Sequence, residues 1–107
     1  MTRESLSKIL RTLRAGLAEL LGDRLEAVYL FGSQARGDAR PDSDIDVLIV
    51  IRGNFDYFQM MDFTSDLAWQ LSHDNDVVIS RVLISQEKFD QADTVFLMNA
   101  RCEAVLV

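Results

Sequence analysis

Aspartates crowd the entry of an apolar stretch in the middle of the chain, and two of them are spaced for metal chemistry. The stretch DIDVLIVI, residues 44–51, alternates so that Asp44 and Asp46 point to one face of a strand while Ile45 and Val47 point to the other. Carboxylates two residues apart lie roughly 6–7 Å apart at the backbone, so their oxygens can converge on hard cations. Because Mg²⁺ is typically held by one or two carboxylates and substrate phosphates, this strand predicts a metal–nucleotide site.

A Gly-Ser turn precedes this strand and supplies groups that suit phosphate. The apolar strand EAVYLF, residues 26–31, ends at Gly32-Ser33, where a glycine lets the backbone approach a phosphate and successive N–H groups can bind an anion. Ser33 adds a hydroxyl donor, and Arg36 is either a phosphate contact or a surface cation. The segment is not a P-loop, because Asp38 stands where that motif needs its lysine.

The polar segment from Gln34 to Ser43 links the two halves, and we expect a loop that can include one helical turn. Asp42 and Ser43 are interpreted as turn or strand-entry residues. Ser43 is also a candidate nucleotide contact, together with Gly32, Ser33 and Arg36.

The bulk composition limits the function classes. The chain has 107 residues, which suits a single domain over 1–107, and 49% of them are apolar, which allows a compact core. A net charge of −6 argues against direct binding of nucleic acid, because nonspecific DNA affinity comes from neutralised phosphates. The single cysteine excludes an intrachain disulfide, and neither a run of about eighteen apolar residues nor an apolar N-terminal block is present. We therefore expect a cytoplasmic protein that does not use a membrane.

Hydrophobic periodicity predicts the elements that position these residues. Helices are expected over about 3–21, ending at Gly22, over 56–72 and over 85–102, and a third strand over 76–84. The tail 103–107 is an edge strand or a docked end. Such an order predicts the α+β class, with a small central mixed sheet and helices packed against it. The side chains expected to face the core are Leu6, Ile9, Leu10, Leu13, Leu17, Leu20 and Leu21 in the first helix, Met60, Met61, Leu67, Ala68 and Leu71 in the second, and Phe89, Ala92 and Phe96 in the last.

The central stretch resembles the signature of the DNA polymerase β-like nucleotidyltransferases. Gly32-Ser33, ten intervening residues and Asp44-Ile45-Asp46, flanked by apolar strands, are similar to the minimal single-domain branch called MNT proteins. The resemblance implies that Asp44 and Asp46 bind two Mg²⁺ ions. It also implies a third carboxylate on a later strand, which joins the second metal and helps to activate the attacking hydroxyl. Asp76 in NDVVIS matches that position, with Asp74 as the alternative.

The resemblance further implies a reaction and a partner. The reaction is transfer of a nucleoside monophosphate from a nucleoside triphosphate to a hydroxyl, with release of pyrophosphate. Proteins similar to this one pair with a helical HEPN ribonuclease toxin and act as its antitoxin by moving AMP from ATP to a tyrosine of the toxin. Two alternatives stay open: an antitoxin that binds nucleotide and neutralises its partner by contact alone, and a transferase that acts on a small-molecule hydroxyl.

Overall fold

The structure is a computed structural model of the chain, and it describes residues 2–37, 40, 43–91 and 94–107. The predicted roles of Asp42 and Ala92 lie outside the described residues. A short 3₁₀ turn at Gly22–Arg24 follows the first helix. The elements are α1 (Arg3–Leu21), β1 (Leu25–Phe31), α2 (Gly32–Arg36), β2 (Ile45–Ile51), α3 (Tyr57–Asn75), β3 (Ile79–Ser85), α4 (Gln86–Gln91), α5 (Val95–Glu103) and β4 (Val105–Leu106).

The strands form one mixed sheet in the order β3-β2-β1-β4. β1 pairs with β2 and with β4 in antiparallel fashion, while β2 and β3 are parallel and are joined through α3. Every residue of β2 except Asp46 is buried, because helices cover both faces of this inner strand. The predicted α+β class with a central mixed sheet is confirmed.

Helix α1 covers one face of the sheet together with α3. Its N-terminus is capped by Thr2, whose Oγ1 accepts a hydrogen bond from the Ser5 N–H at 3.0 Å. Leu13 and Leu17, each 1% exposed, anchor the leucine stripe in the core. The prediction for Leu20 was wrong, since this side chain is 39% exposed. Helical spacing fixes the direction of a side chain but does not decide whether another element lies opposite it.

Helix α3 begins after Asp56, whose Oδ1 accepts a hydrogen bond from the Gln59 N–H at 2.9 Å. It passes close to α1 at Gly16, where an added Cβ would lie 2.7 Å from Cδ1 of Leu67. The helix continues to Asn75, which is three residues beyond the predicted end. The third strand consequently starts three residues later than predicted, at Ile79.

The opposite face of the sheet is covered by α4 and α5. Sequence periodicity predicted one helix here, but the structure has two, and α5 starts afresh with Thr94 as its cap. Phe89 of α4 is buried as predicted. The prediction for Phe96 was wrong in part, because its ring is 48% exposed although one edge contacts the Phe31 ring at a centroid distance of 5.9 Å.

None of the helices in the described part of the chain combines the length and the apolar character that crossing a bilayer requires.

Candidate active site

The two carboxylates of the DIDVLIVI stretch lie at the N-terminal end of β2. Asp44 directly precedes the strand and is exposed, while Asp46 is its second residue and is half-buried. The next N–H, that of Ile45, donates to the Val78 carbonyl at 2.8 Å, which extends the parallel pairing back to this point. The carboxylates therefore stand where β2 enters the sheet, on a backbone that is held in place by its neighbour.

Asp46 has a sheet neighbour on either side. It pairs with Phe31 across the antiparallel ladder and with Ser80 across the parallel ladder. Directly paired residues project to the same face of a sheet, so an aromatic ring and a hydroxyl flank the carboxylate. This face is the one covered by α4 and α5.

Gly32 contacts Asp46 and so joins the Gly-Ser turn to the strand that carries the carboxylates. Its φ of +73° lies in the left-handed region, and an added Cβ would stand 2.5 Å from Oδ2 of Asp46. No other residue type leaves room for this carboxylate at that distance, and the glycine also relieves the backbone strain. The sequence motif thus corresponds to a physical contact between the Gly-Ser turn and the strand that carries the two carboxylates.

The turn after β1 leads directly into the short helix α2, which is the helical turn that the predicted loop could include and which starts two residues before that loop. α2 begins at Gly32, includes the half-buried Ser33 in its first turn and ends at Arg36. Gly37 is its C-cap and donates its N–H to the Ser33 carbonyl at 3.0 Å. Arg36 Nη1 lies 3.2 Å from Oε2 of Glu103, which ties α2 to the end of α5. Both side chains are partly exposed, so we expect this ion pair to contribute little to stability.

The electrostatic environment of Asp46 favours the addition of a cation. Burial raises the pKa of the Asp46 carboxyl above its usual value, and the negative charge of Asp44 raises it further, while Arg36 acts in the opposite direction. A metal ion bound by both carboxylates would remove their repulsion. The oxygen donors and the desolvated charge therefore fit Mg²⁺.

Ser43 takes part in a local turn in the structure. Its Oγ accepts a hydrogen bond from the Arg40 N–H at 2.8 Å, and its own N–H donates to the Arg40 carbonyl at 3.0 Å. This agrees with the interpretation of Ser43 as a strand-entry residue. Its role as a nucleotide contact stays a prediction.

Asp76 is not at the start of a strand. It is the C-cap of α3, with φ 51° and ψ 48°, and it is exposed. The alternative, Asp74, accepts a hydrogen bond from Gln70 Nε2 at 2.8 Å. Within the described residues, no group of three histidine, cysteine, aspartate or glutamate side chains could hold a metal ion. Among the residues that the structure describes, no third carboxylate completes a metal site with Asp44 and Asp46, and the role of Asp76 stays a prediction.

Sequence reasoning missed Ser80 and Glu103. Ser80 lies beside Asp46 only because of the parallel register, and Glu103 meets Arg36 only because α5 packs against α2. No spacing in the sequence signals either contact, since both depend on pairing between distant segments.

Comparison with known protein families gives this arrangement a context. A family profile described as "Polymerase beta, Nucleotidyltransferase" matches residues 17–100. The chain belongs to this nucleotidyltransferase family. The matched range includes the Gly-Ser turn and both carboxylates of β2, so the resemblance seen in the sequence is confirmed.

In sequence, this nucleotidyltransferase is 41% identical over 68 residues to a Methanocaldococcus jannaschii protein named as a candidate protein adenylyltransferase. The aligned stretch covers 64% of this chain and 62% of the relative, so the match spans less than two thirds of the relative's length.

Solved structures share the fold of this nucleotidyltransferase. One, described as a candidate minimal nucleotidyltransferase, matches with a TM-score of 0.68 and 23% identity, and the match covers 100% of this chain and 97% of the other. Another is described as a tri-AMPylated Shewanella oneidensis HEPN toxin in complex with MNT antitoxin. It matches with a TM-score of 0.52 and 18% identity over 99% of this chain and 71% of the other. At such identities the likeness establishes the fold of a minimal nucleotidyltransferase.

Proposed function

We propose that this nucleotidyltransferase is a Mg²⁺-dependent adenylyltransferase that moves AMP from ATP to a tyrosine hydroxyl of a cognate HEPN toxin and so acts as its antitoxin. One observation carries the proposal. The Asp46 carboxylate is half-buried beside Asp44 and lies against Gly32 at the start of the turn that suits phosphate. A half-buried carboxylate with a second carboxylate beside it is suited to a cation that arrives with a nucleotide.

Each residue of the site has a proposed role. Asp44 and Asp46 hold Mg²⁺, which, when bound, offsets the negative charge that develops on the transferred phosphoryl group. Gly32 keeps space for the Asp46 carboxylate and, with Ser33, offers N–H and hydroxyl donors to phosphate oxygens. Arg36 and Ser43 are proposed as further nucleotide contacts. By family resemblance, Asp76 is proposed as a ligand of a second ion and as the group that helps to activate the acceptor.

The proposed reaction is a displacement at the α-phosphorus of ATP. The acceptor oxygen forms a bond to the α-phosphorus. The bond from this phosphorus to the oxygen that bridges it to the β-phosphorus breaks, and pyrophosphate leaves with the electron pair of that bond. The proton of the acceptor hydroxyl passes to a carboxylate or to solvent. Asp44 and Asp46 would hold the Mg²⁺ that, when bound, offsets the repulsion between their charges and the triphosphate.

The partner assignment is supported by the described relatives. One sequence relative is named as a candidate protein adenylyltransferase, and one structural relative combines an MNT antitoxin with an AMP-carrying HEPN toxin. We propose the same class of partner for this chain, in the cytoplasm and without a role for membranes or direct nucleic-acid binding.

The test combines the purified protein with labelled ATP, Mg²⁺ and a HEPN protein encoded in the same genome, beginning with the product of the neighbouring gene if it is of this class. Intact mass of the HEPN protein should increase by whole AMP units. Asp46→Asn should lower the rate at least about a hundredfold, because it removes a charged metal ligand while it keeps the side-chain shape. Asp66→Asn, the same change at an exposed site on α3, is the matched control and should retain activity. An unmodified HEPN protein with the wild type would overturn the proposal.

A second function is favoured by the position of Asp76. Because this residue caps α3 and joins no cluster of three described carboxylates, the chain could bind nucleotide and neutralise its partner without transfer. Asp76→Asn separates the two, since asparagine also tolerates the left-handed backbone at this position. Loss of AMP transfer with unchanged ATP affinity would support a role for Asp76 in catalysis. Neutralisation of the toxin without AMP, in wild type and in Asp46→Asn alike, would support the binding-only antitoxin.

A further inference from the structure

An open groove of about 1000 Å³ runs between the N-terminal half of α1, helix α2 and strand β4. We call it the α1–β4 groove. Its apolar floor includes Leu6, Leu10, Leu30 and Leu106, and its rim includes Arg3, Lys8 and Arg11. The carboxylates of β2 do not line it, so it is separate from the candidate active site.

The floor of the α1–β4 groove leaves apolar surface uncovered. Leu10 and Leu30 are buried and belong to the core, but Val105 and Leu106 on β4 are 51% and 64% exposed. β4 has two residues and stands at an edge of the sheet, where a strand has a free backbone side. Contiguous apolar surface beside such an edge is typical of an interaction site.

The rim of the groove carries an excess of positive charge. Arg3, Lys8 and Arg11 are exposed along α1, and Glu4 is the acidic residue among the groove's lining residues. None of the three cations forms an ion pair with a carboxylate in the described parts of the chain. In a chain with a net charge of −6, this local reversal of sign selects an acidic partner.

The groove also adjoins the candidate active site through α2. Gln34 and Ala35 line the groove, and they lie in the same short helix as Gly32, which contacts Asp46. The groove opens on the sheet face that α1 covers, so a protein seated in it would contact α2, the helix that begins at the turn proposed to bind the nucleotide. A separate recognition surface of this kind keeps an acceptor hydroxyl near the site without using the catalytic residues.

We propose that the α1–β4 groove is the docking site for an acidic amphipathic helix of the HEPN protein that receives AMP. The identity of this partner rests on the proposed function. Apolar side chains of the helix contact the floor, while its carboxylates face Arg3, Lys8 and Arg11, in the helix-in-groove mode of recognition. A nucleic acid is the poorer fit, because its phosphates would use the rim and leave the apolar floor uncovered.

The test measures by calorimetry the dissociation constant of the HEPN protein that the adenylylation assay uses as acceptor. Arg11→Glu and Leu106→Asp should each weaken binding at least tenfold. Arg14→Glu is the matched control, because it makes the same change at an exposed position of α1 outside the groove, and it should change affinity less than twofold. Wild-type affinity should fall as salt rises, and Arg11→Glu should reduce this dependence.

Activity measurements separate docking from transfer. In the groove variants the KM for the HEPN protein should rise, while ATP affinity and kcat at saturating partner should stay at wild-type values. If the groove variants weaken binding but the HEPN protein gains no AMP, the docking proposal stands and the adenylyl-transfer proposal is overturned. Wild-type affinity and KM in both groove variants would overturn docking and leave transfer intact. Failure of the HEPN protein to bind, or RNA binding lost in the same variants while protein binding persists, would also overturn docking.

Discussion

At the scale of residues, the site depends on one close contact between a backbone and a carboxylate. Asp46 is held where burial and Asp44 both disfavour its charge, and Gly32 leaves the space that its Oδ2 occupies. Such an arrangement costs stability in the metal-free protein, as is common where a fold prepares a binding site. Two predictions follow from this conflict between stability and function.

Asp46→Asn should stabilise the metal-free protein at neutral pH, by no more than about 1 kcal/mol because the site is partly open to solvent. Because the pKa of Asp46 is raised above its ordinary value of 3.8, the native state binds more protons than the unfolded state between the ordinary and the raised value. The contribution of Asp46 to the unfolding free energy therefore falls as pH rises through this interval and stays constant at higher pH. The gain from Asn should therefore be present at pH 7 and vanish below the ordinary aspartate pKa. Urea unfolding of both proteins at several pH values measures it, and a destabilised variant at pH 7 would contradict this account.

Gly32→Ala should destabilise the protein by about 1–2 kcal/mol and also remove the stabilisation that Mg²⁺ and ATP give to the wild type. The new Cβ would collide with the Asp46 carboxylate and displace it. Gly53→Ala is the control, because Gly53 has a φ of +76° and nothing within 4 Å of an added Cβ. Gly53→Ala should lose a similar free energy of unfolding through backbone strain. Its melting temperature should still rise on addition of Mg²⁺ and ATP in a thermal shift assay. An equal response of both variants to ligand would show that the contact has no functional role.

At the scale of elements, α1 and α3 cover one face of the sheet, and α4 and α5 cover the other. The short α2 follows β1 and contains the Gly-Ser turn. The leucine stripe of α1 supplies much of the first core, and Leu13 and Leu17 are its most buried members on that helix. The stability of the sheet face opposite the active site should thus depend on a few side chains of α1.

Leu13→Ala should cost about 2–4 kcal/mol, because it removes a fully buried side chain and leaves a cavity. Leu20→Ala, the same change on the same helix at a side chain that is 39% exposed, should cost less than about 1 kcal/mol. Chemical denaturation followed by circular dichroism measures both values. Similar costs for the two variants would place Leu20 in the core and contradict the structure.

At the scale of the whole molecule, strand pairing is most extensive at the inner strand β2 and least extensive at the short edge strand β4. β2 has paired neighbours on both sides along its length, whereas β4 contacts the sheet through two residues next to β1. Local opening free energies increase with burial and pairing, so the molecule should open first at β4. This edge forms one side of the α1–β4 groove, where a partner would order it.

Hydrogen exchange should be slowest at the amides of Val47, Leu48 and Ile49 and faster at Val105 and Leu106, because the first group is wholly buried and paired while the second is exposed. Mass spectrometry with peptide-level resolution measures the difference in the isolated protein. Addition of the HEPN partner should slow exchange at β4 and leave β2 unchanged. Equal protection of the two strands in the isolated protein would contradict the observed order of the sheet.

The sequence by itself determined the local features of the site. The alternation around Ile45 placed Asp44 and Asp46 on the strand face opposite Ile45 and Val47, and the Gly-Ser turn ended the first strand where the structure ends it. These features depend on backbone geometry over a few residues, so spacing was enough to predict them. The leucine stripe of α1 and the end of this helix at Gly22 belong to the same class.

Only the tertiary structure decided what lies beside the carboxylates. Ser80 reaches Asp46 through strand register, Glu103 reaches Arg36 through helix packing, and Asp76 moves out of β3 because α3 continues to Asn75. The exposure of Leu20 and the groove over Leu106 have the same origin. Periodicity sets the direction of a side chain, whereas its neighbours are set by contacts between segments that are distant in sequence.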